Sequence, residues 1–295
     1  MAQLVVNGLL VGSIIALGAI GLTLIYGILK FAHFAHGDLM TVGAYVAFFA
    51  FAQGGSRIAP LSFGWSMIPA ILLAMIVVGA LSVGIDRVVY RPLRKKKAGF
   101  VILAIGSLGM AMILRSIVYL VWGPKQHFYV SGVQKAWNLP FDIKIKPDQL
   151  FIGLAALVTV ALVYFLLYRT RLGRAMRATA DNMELAQVAG IDTERVVLWT
   201  WMIGGALAGL AGVLLGIQSH LMPEMGFIFM LPLFAASILG GVGSPHGALV
   251  GALIVGVSQE VSTEWISPAY KPTVAFVLLF IILLIRPRGI FGTKV

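Results

Sequence analysis

Long apolar runs with almost no charge constrain this chain more than any other feature. A helix crossing the hydrocarbon core needs about 20 mostly apolar residues. Segments 4–29, 64–85, 98–122, 148–168, 196–218 and 270–286 each have that character. Lipid offers no hydrogen-bond partner to a bare backbone, so such runs must be helical. Charged residues are only 11% of the 295, against about a quarter in soluble domains. That deficit excludes a soluble fold, a disordered chain and a collagen-like chain. The 34 glycines suit closely packed membrane helices. Met1-Ala2-Gln3 offers no basic leader, so the first run reads as a retained span. The expectation is an all-α polytopic membrane protein, with one transmembrane domain over residues 1–295.

Two further apolar segments are irregular. Segment 38–53 is short and follows His33, His36 and Asp38. Segment 226–260 is interrupted from Gly240 to Gly247, through Gly241, Gly243 and Ser244. The interruption is either a tight turn between tilted helices or a re-entrant hairpin. The chain therefore has about eight transmembrane elements, including broken or re-entrant half-helices. Irregular backbone at membrane depth survives only when buried in protein or lining a wet cavity. His36, Gly37, Asp38, Gly240, Gly241, Gly243 and Ser244 are thus candidates for helix breaks or for the translocation pathway. Asp38 reads first as an N-cap at the membrane interface. The alternative is a half-helix N-terminus that attracts an anionic substrate group. His36-Gly37 and His246-Gly247 have similar surroundings, a hint of internal duplication.

The net charge of +11 is a topology signal. Most Lys and Arg fall in one set of alternate loops: Lys30; Arg87 to Lys97; Arg169 to Arg195; and Arg286, Arg288 and Lys294. The other loops hold only Arg57, Lys125, Lys135, Lys144, Lys146 and Lys271. The richer set is expected in the cytoplasm, with the N-terminus outside, the C-terminus inside and anionic lipid nearby. Nucleic acid is not an expected partner. Arg115 lies within a span, where charge is costly; snorkelling or pairing with Glu260 or Glu264 is the expected relief.

The connection 169–195 contains a short helix. Asp181 and Glu184 fit a capping box, Gly190 suits the C′ position, and Asp192 can cap the following span. The helix either lies on anionic lipid or docks a cytoplasmic partner. The connection 123–147 reads first as a solvated cap, with a fold over the outer surface that contacts a partner as the alternative. Gly205, Gly209, Gly212 and Gly216 share a helix face that favours close helix packing, first within the chain and alternatively at a seam with a second subunit. His33, His36 and Asp38 lack a second ligand set, so no metal site is expected. Cysteine is absent. The chain contains no G-x4-G-K-[ST], hence no P-loop for ATP.

Glu184, Ala186 and Gly190 keep the spacing E-x-A-x3-G, which resembles the EAA loop of ABC importer permeases, with Leu185 in place of Ala. The blocks NGLLVGSIIALGAIGLTLIYGILKFAHFAHGDLMTVGAY, GRAMRATADNMELAQVAGID, GGALAGLAGVLLG, ILGGVGSPHGALVGALIVG and KPTVAFVLLFIILLIRPRGIFG resemble, in order, LivH-type permeases of branched-chain amino acid importers. The resemblance implies a LivH-type ABC permease fold and a non-catalytic subunit in a bacterial or archaeal plasma membrane. It further implies a second homologous permease, two cytoplasmic ATPases that bind ATP and Mg, and an extracytoplasmic solute-binding protein. No cofactor is expected on this chain. Asp181, Glu184, Ala186 and Gly190 would then couple to the ATPases. Branched-chain or other neutral amino acids are the implied substrates, with urea or amides as the alternative within related permeases. A self-sufficient channel or secondary transporter is the alternative of another class, and a membrane enzyme the third.

Overall fold

The computed structural model describes residues 1–51, 61–129, 135–139 and 143–292. Arg57, Lys294 and parts of the 123–147 connection lie outside these. The described elements are α1 (Ala2–Leu29), α2 (His36–Phe51), α3 (Met67–Ile85), α4 (Arg91–Lys95), α5 (Phe100–Trp122), β1 (Trp137–Leu139), β2 (Ile143–Ile145), α6 (Pro147–Arg169), α7 (Arg171–Asp181), α8 (Met183–Val188), α9 (Thr193–Gln218), α10 (Met225–Gly240), α11 (Pro245–Val261) and α12 (Lys271–Ile285). A π-turn over Asp86–Tyr90 joins α3 to α4, and Arg94 donates twice to Asp86 there, at 2.5 and 3.1 Å. Six helices, α3 counted with its continuation through α4, are long and apolar enough to span a bilayer, and they match the six runs read from sequence.

Helices α1 and α9 form the buried centre, while α5, α6 and α12 form an exposed rim. Small residues make that centre possible. The α9 glycine face packs within the chain: Gly205 meets Ser82 and Val78 of α3, Gly212 meets Met40 of α2, and Gly216 meets the Tyr129 ring. A Cβ at Gly212 would collide with the Met40 carbonyl, so this crossing is a backbone-to-backbone contact.

One end of the bundle is basic. It gathers Lys30, α4, α7 and the residues after α12; Lys30 Nζ donates to the Ala180 carbonyl at 2.9 Å. From Lys30 the chain does not begin a new span at this end. Residues 31–35 turn back into the bundle, and Ser107 of α5 satisfies their backbone: it accepts from Phe34 N at 3.0 Å and donates to Ala32 O at 3.2 Å. Helix α2 begins only at His36, whose Nε2 donates to Gly18 O, midway along α1, at 3.0 Å. At the far end of α9, residues 219–224 do the same in the opposite sense. Leu221 pairs with His127 through two backbone bonds at 2.8 and 3.0 Å, and α10 then starts inside the bundle.

The two re-entrant helices α2 and α10 have 16 residues each. At about 1.5 Å per residue that is roughly 24 Å, short of the ~30 Å hydrocarbon core. Their N-termini meet: Gly37 and Gly226 lie backbone against backbone, and Gly226 N donates to Thr41 Oγ1 at 3.0 Å. A side chain at either glycine would collide with the other's carbonyl.

The Gly240 to Gly247 interruption is a tight turn between α10 and α11. Gly241 (φ 107°) and Gly243 (φ 89°) adopt backbone that other residues avoid, and Ser244 Oγ caps α11 by accepting from Gly247 N at 3.2 Å. Residues after α12 close this turn, with Ile290 N and Phe291 N donating to Leu239 O and Gly240 O. His246-Gly247 thus opens a helix at the basic end, whereas His36-Gly37 opens one at depth. Gly37 meets Gly226 at depth, whereas Gly247 meets Gly240 across the turn. The 123–147 connection is more than a solvated cap: Tyr129 turns inward and donates to Ala44 O at 2.7 Å. Burial pushes the Tyr129 phenol well above its ordinary pKa and keeps it a donor.

Candidate functional site

The junction of α2 and α10 carries a charged cluster. Asp38, in the first turn of α2, is fully buried (0% exposed), which corrects the expectation of an interfacial cap. Arg115 of α5 donates to it through Nε at 2.9 Å and Nη2 at 3.1 Å. Arg115 therefore neither snorkels nor pairs with Glu260 or Glu264. Glu260 is held instead by Lys271 Nζ at 2.5 Å. Seven residues separate Arg115 from the end of α5, placing the pair about 11 Å below that end at ~1.5 Å per residue. A one-sided charge at that depth would be very costly; a bidentate ion pair relieves it.

The cluster continues toward the far end. The Arg115 guanidinium lies 4.1 Å above the Phe227 ring centroid, a cation–π contact. One turn along α5, Tyr119 OH donates to Glu224 Oε1 at 2.6 Å. Glu224 is the N-cap residue of α10 and is exposed. Tyr119, Glu224 and Phe227 were not singled out from sequence. A lone carboxylate in a connection looks ordinary until the connection is seen to re-enter.

The histidines are structural in form. His33 Nε2 shares a hydrogen bond with Tyr90 OH at 3.1 Å, and His36 Nε2 is engaged by Gly18. Tyr90 stacks on Trp201 at 5.1 Å with 7° between planes, while His33 meets Trp201 edge-on at 4.9 Å. This box fastens residues 31–36 between α9 and the Asp86–Tyr90 turn. Among the described residues no group of three or more potential ligands gathers for a metal.

At the basic end, α7 and α8 form a platform. Thr170 Oγ1 caps α7 by accepting from Gly173 N at 3.0 Å, and Gly173 lets α7 approach the last carbonyls of α6. The cap of α8 is Asn182, accepting from Leu185 N at 2.9 Å; Asp181 is the last residue of α7. Asp181 and Glu184 therefore do not form the expected capping box. The C-terminal end of α8 closes as its sequence suggests: Gly190 has φ 83°, Gly190 N donates to Gln187 O, and Ile191 N donates to Ala186 O, a Schellman closure. Asp192 Oδ1 caps α9 through Arg195 N at 3.0 Å, as read from sequence. Ala186 points inward and is buried, whereas Leu185 (65% exposed) and Val188 (86% exposed) face away from the bundle.

Comparison with known proteins agrees with this architecture. Residues 4–283 match the family described as branched-chain amino acid transport system / permease component. The chain is 37% identical over 98% of its length to the high-affinity branched-chain amino acid transport system permease protein LivH of Escherichia coli (strain K12), covering 95% of that protein. It is 36% identical, with the same coverages, to the high-affinity branched-chain amino acid transport system permease protein BraD of Pseudomonas aeruginosa. Among solved structures, PsaBC from Streptococcus pneumoniae in complex with Fab aligns over 98% of this chain and 93% of that one, with TM-score 0.51 and 12% identity, a likeness of fold alone. The matched span, the relatives and the helical architecture agree: this multi-pass membrane protein belongs to the branched-chain amino acid transport system permease family.

Proposed function

We propose that the chain is the non-catalytic translocation subunit of an ATP-driven importer that brings branched-chain or other neutral amino acids into the cell. The observation that carries the coupling is the platform at the basic end. Leu185 and Val188 stand exposed on a short helix whose two ends are fixed by Asn182 and Gly190. Exposed aliphatic side chains on a rigid, capped helix suit insertion into a groove of a partner. The positive excess supports a cytoplasmic basic end, with the N-terminus outside and the C-terminus inside. The partner at α8 is then a cytoplasmic ATPase supplying ATP and Mg, one for this chain and one for a second permease. An extracytoplasmic solute-binding protein delivers substrate at the far end. Glu184, Ala186 and Gly190 serve this coupling on and just after α8, Asp181 serves it from the end of α7, and Gly240, Gly241, Gly243 and Ser244 form a turn at the same end.

ATP-driven closure of the partners would move α7 and α8, and through Lys30 and the α10–α11 turn the two half-helices. The test is uptake of radiolabelled leucine into proteoliposomes holding the full complex or this chain alone. Uptake that needs the ATPases and ATP is expected; uptake by the isolated chain would remove the reading. Uptake of urea in place of leucine by the full complex would move the substrate class and leave the coupling intact.

A further inference from the structure

Resting on that reading, we infer that Arg115 and Glu224, with Phe227 beneath them, form the subsite that recognises the zwitterionic head of the transported amino acid.

The argument begins with what these groups lack. Arg115 uses Nε and Nη2 on Asp38, and among the described residues its Nη1 has no partner. Its side chain is 21% exposed although Asp38 is fully buried. Glu224 uses Oε1 for Tyr119, and Oε2 has no partner among the described residues. A guanidinium edge left open within the α5 span cannot face lipid, so this side of α5 must face water; Glu224, at the N-cap of α10, is exposed beside it. The two open groups are close. Arg115 and Tyr119 are one turn apart on α5, Glu224 and Phe227 are one turn apart on α10, and the pairs touch crosswise through the Tyr119–Glu224 hydrogen bond and the Arg115–Phe227 contact.

The chemistry matches an α-amino acid. The free guanidinium edge can donate to a carboxylate, and the free carboxylate oxygen can accept from an ammonium. An aliphatic side chain would lie along the exposed Phe227 ring and along Met112, one turn below Arg115 on the same face of α5. Urea has neither charge to offer, and a simple carboxylate or amine has only one.

The test is leucine uptake by the assembled transporter carrying Glu224→Gln or Glu224→Asp. KM is set by the solute-binding protein, so the permease subsite should appear in the maximal rate. A fall of at least tenfold for Glu224→Gln, partial retention by Glu224→Asp, and an unchanged KM are expected. Equal impairment by both, or a Gln variant within twofold of wild type, overturns the inference. A second measurement does not depend on activity. Because the chain has no cysteine, Phe227→Cys can be probed with a membrane-impermeant thiol reagent. Labelling at Phe227→Cys but not at Leu157→Cys on the exposed face of α6 is expected; an unlabelled Phe227→Cys places the cluster against lipid and also overturns it. A wild-type complex that carries no amino acid would instead defeat the reading of function, so the two failures are distinguishable.

Discussion

Replacing Asp38 by Asn tests the ion pair at the half-helix junction. Asp38 is fully buried and accepts both of the hydrogen bonds that Arg115 makes among the described residues. Removing one partner of a buried pair costs about 3–5 kcal/mol, because the other charge is left uncompensated. Arg115 is one-fifth exposed, and the introduced amide would still accept one hydrogen bond, so the cost falls below that range, to about 2–3 kcal/mol. At about 2–4 °C per kcal/mol for large domains, the melting temperature should fall by roughly 4–12 °C. Removing the second charge as well, in Asp38→Asn with Arg115→Gln, should recover at least half of that loss, since neutral amides tolerate depth far better than an orphan guanidinium. The assay is thermal unfolding of the purified complex followed by size-exclusion chromatography, on wild type, both single variants and the double variant. A single Asp38→Asn shift under about 2 °C, or a double-variant shift equal to the two single shifts added together, would falsify the argument that the pair is coupled and buried.

Three other outcomes follow from local geometry. Gly226→Val should disrupt the α2–α10 contact by about 2–4 kcal/mol, because its side chain meets the Gly37 carbonyl; reduced recovery of folded complex from membranes would report it. Leu185→Ser with Val188→Ser should leave the melting temperature of this chain within about 2 °C, since both side chains are exposed, yet lower ATP-dependent uptake at least tenfold; full uptake would remove the docking helix. Lys271→Met leaves the buried Glu260 carboxylate without its cation, but the site is partly open through Lys271 (31% exposed), so thermal unfolding should show a cost of about 1–2 kcal/mol, smaller than for Asp38→Asn.

The contrast between these pairs shows where the sequence was legible. Hydropathy located all six long spans because burial in lipid is read from composition over about 20 residues. It did not show that residues 31–35 and 219–224 re-enter, because each is short and looks like any polar-flanked loop. The sign was present in the 16-residue length of the segments that follow, too short to span alone. Without re-entry, Asp38 is placed at the interface and Glu224 in solvent, and Arg115 is left to search for Glu260. Local capping was read with similar limits. Gly190 and Asp192 act as expected because φ and side-chain reach decide them, but Asp181 lost the cap to Asn182, since α7 runs one residue further than its pattern suggests. Which face of α8 meets the bundle was not encoded in spacing at all: tertiary packing turned Ala186 in and left Leu185 and Val188 out.

Why a junction inside a membrane should hold so many charges follows from the helix ends themselves. An α-helix carries roughly half a positive charge at its N-terminus, and here two such ends face each other across Gly37 and Gly226. Left alone, they would repel in a medium of low dielectric. Asp38 compensates both ends, but Arg115 then restores one positive charge, and Glu224, at the N-cap of α10, removes it again. The cluster is balanced near neutrality only when all three side chains are counted. That balance constrains what can bind there. A zwitterion adds a carboxylate and an ammonium together and leaves the net charge unchanged, as an uncharged solute does, whereas a cation or an anion would unbalance it by a full unit. On the proposed reading, solutes without net charge, neutral amino acids among them, enter this junction at the smallest electrostatic penalty. The preference arises from the pairing of two helix ends, before any pocket shape is considered.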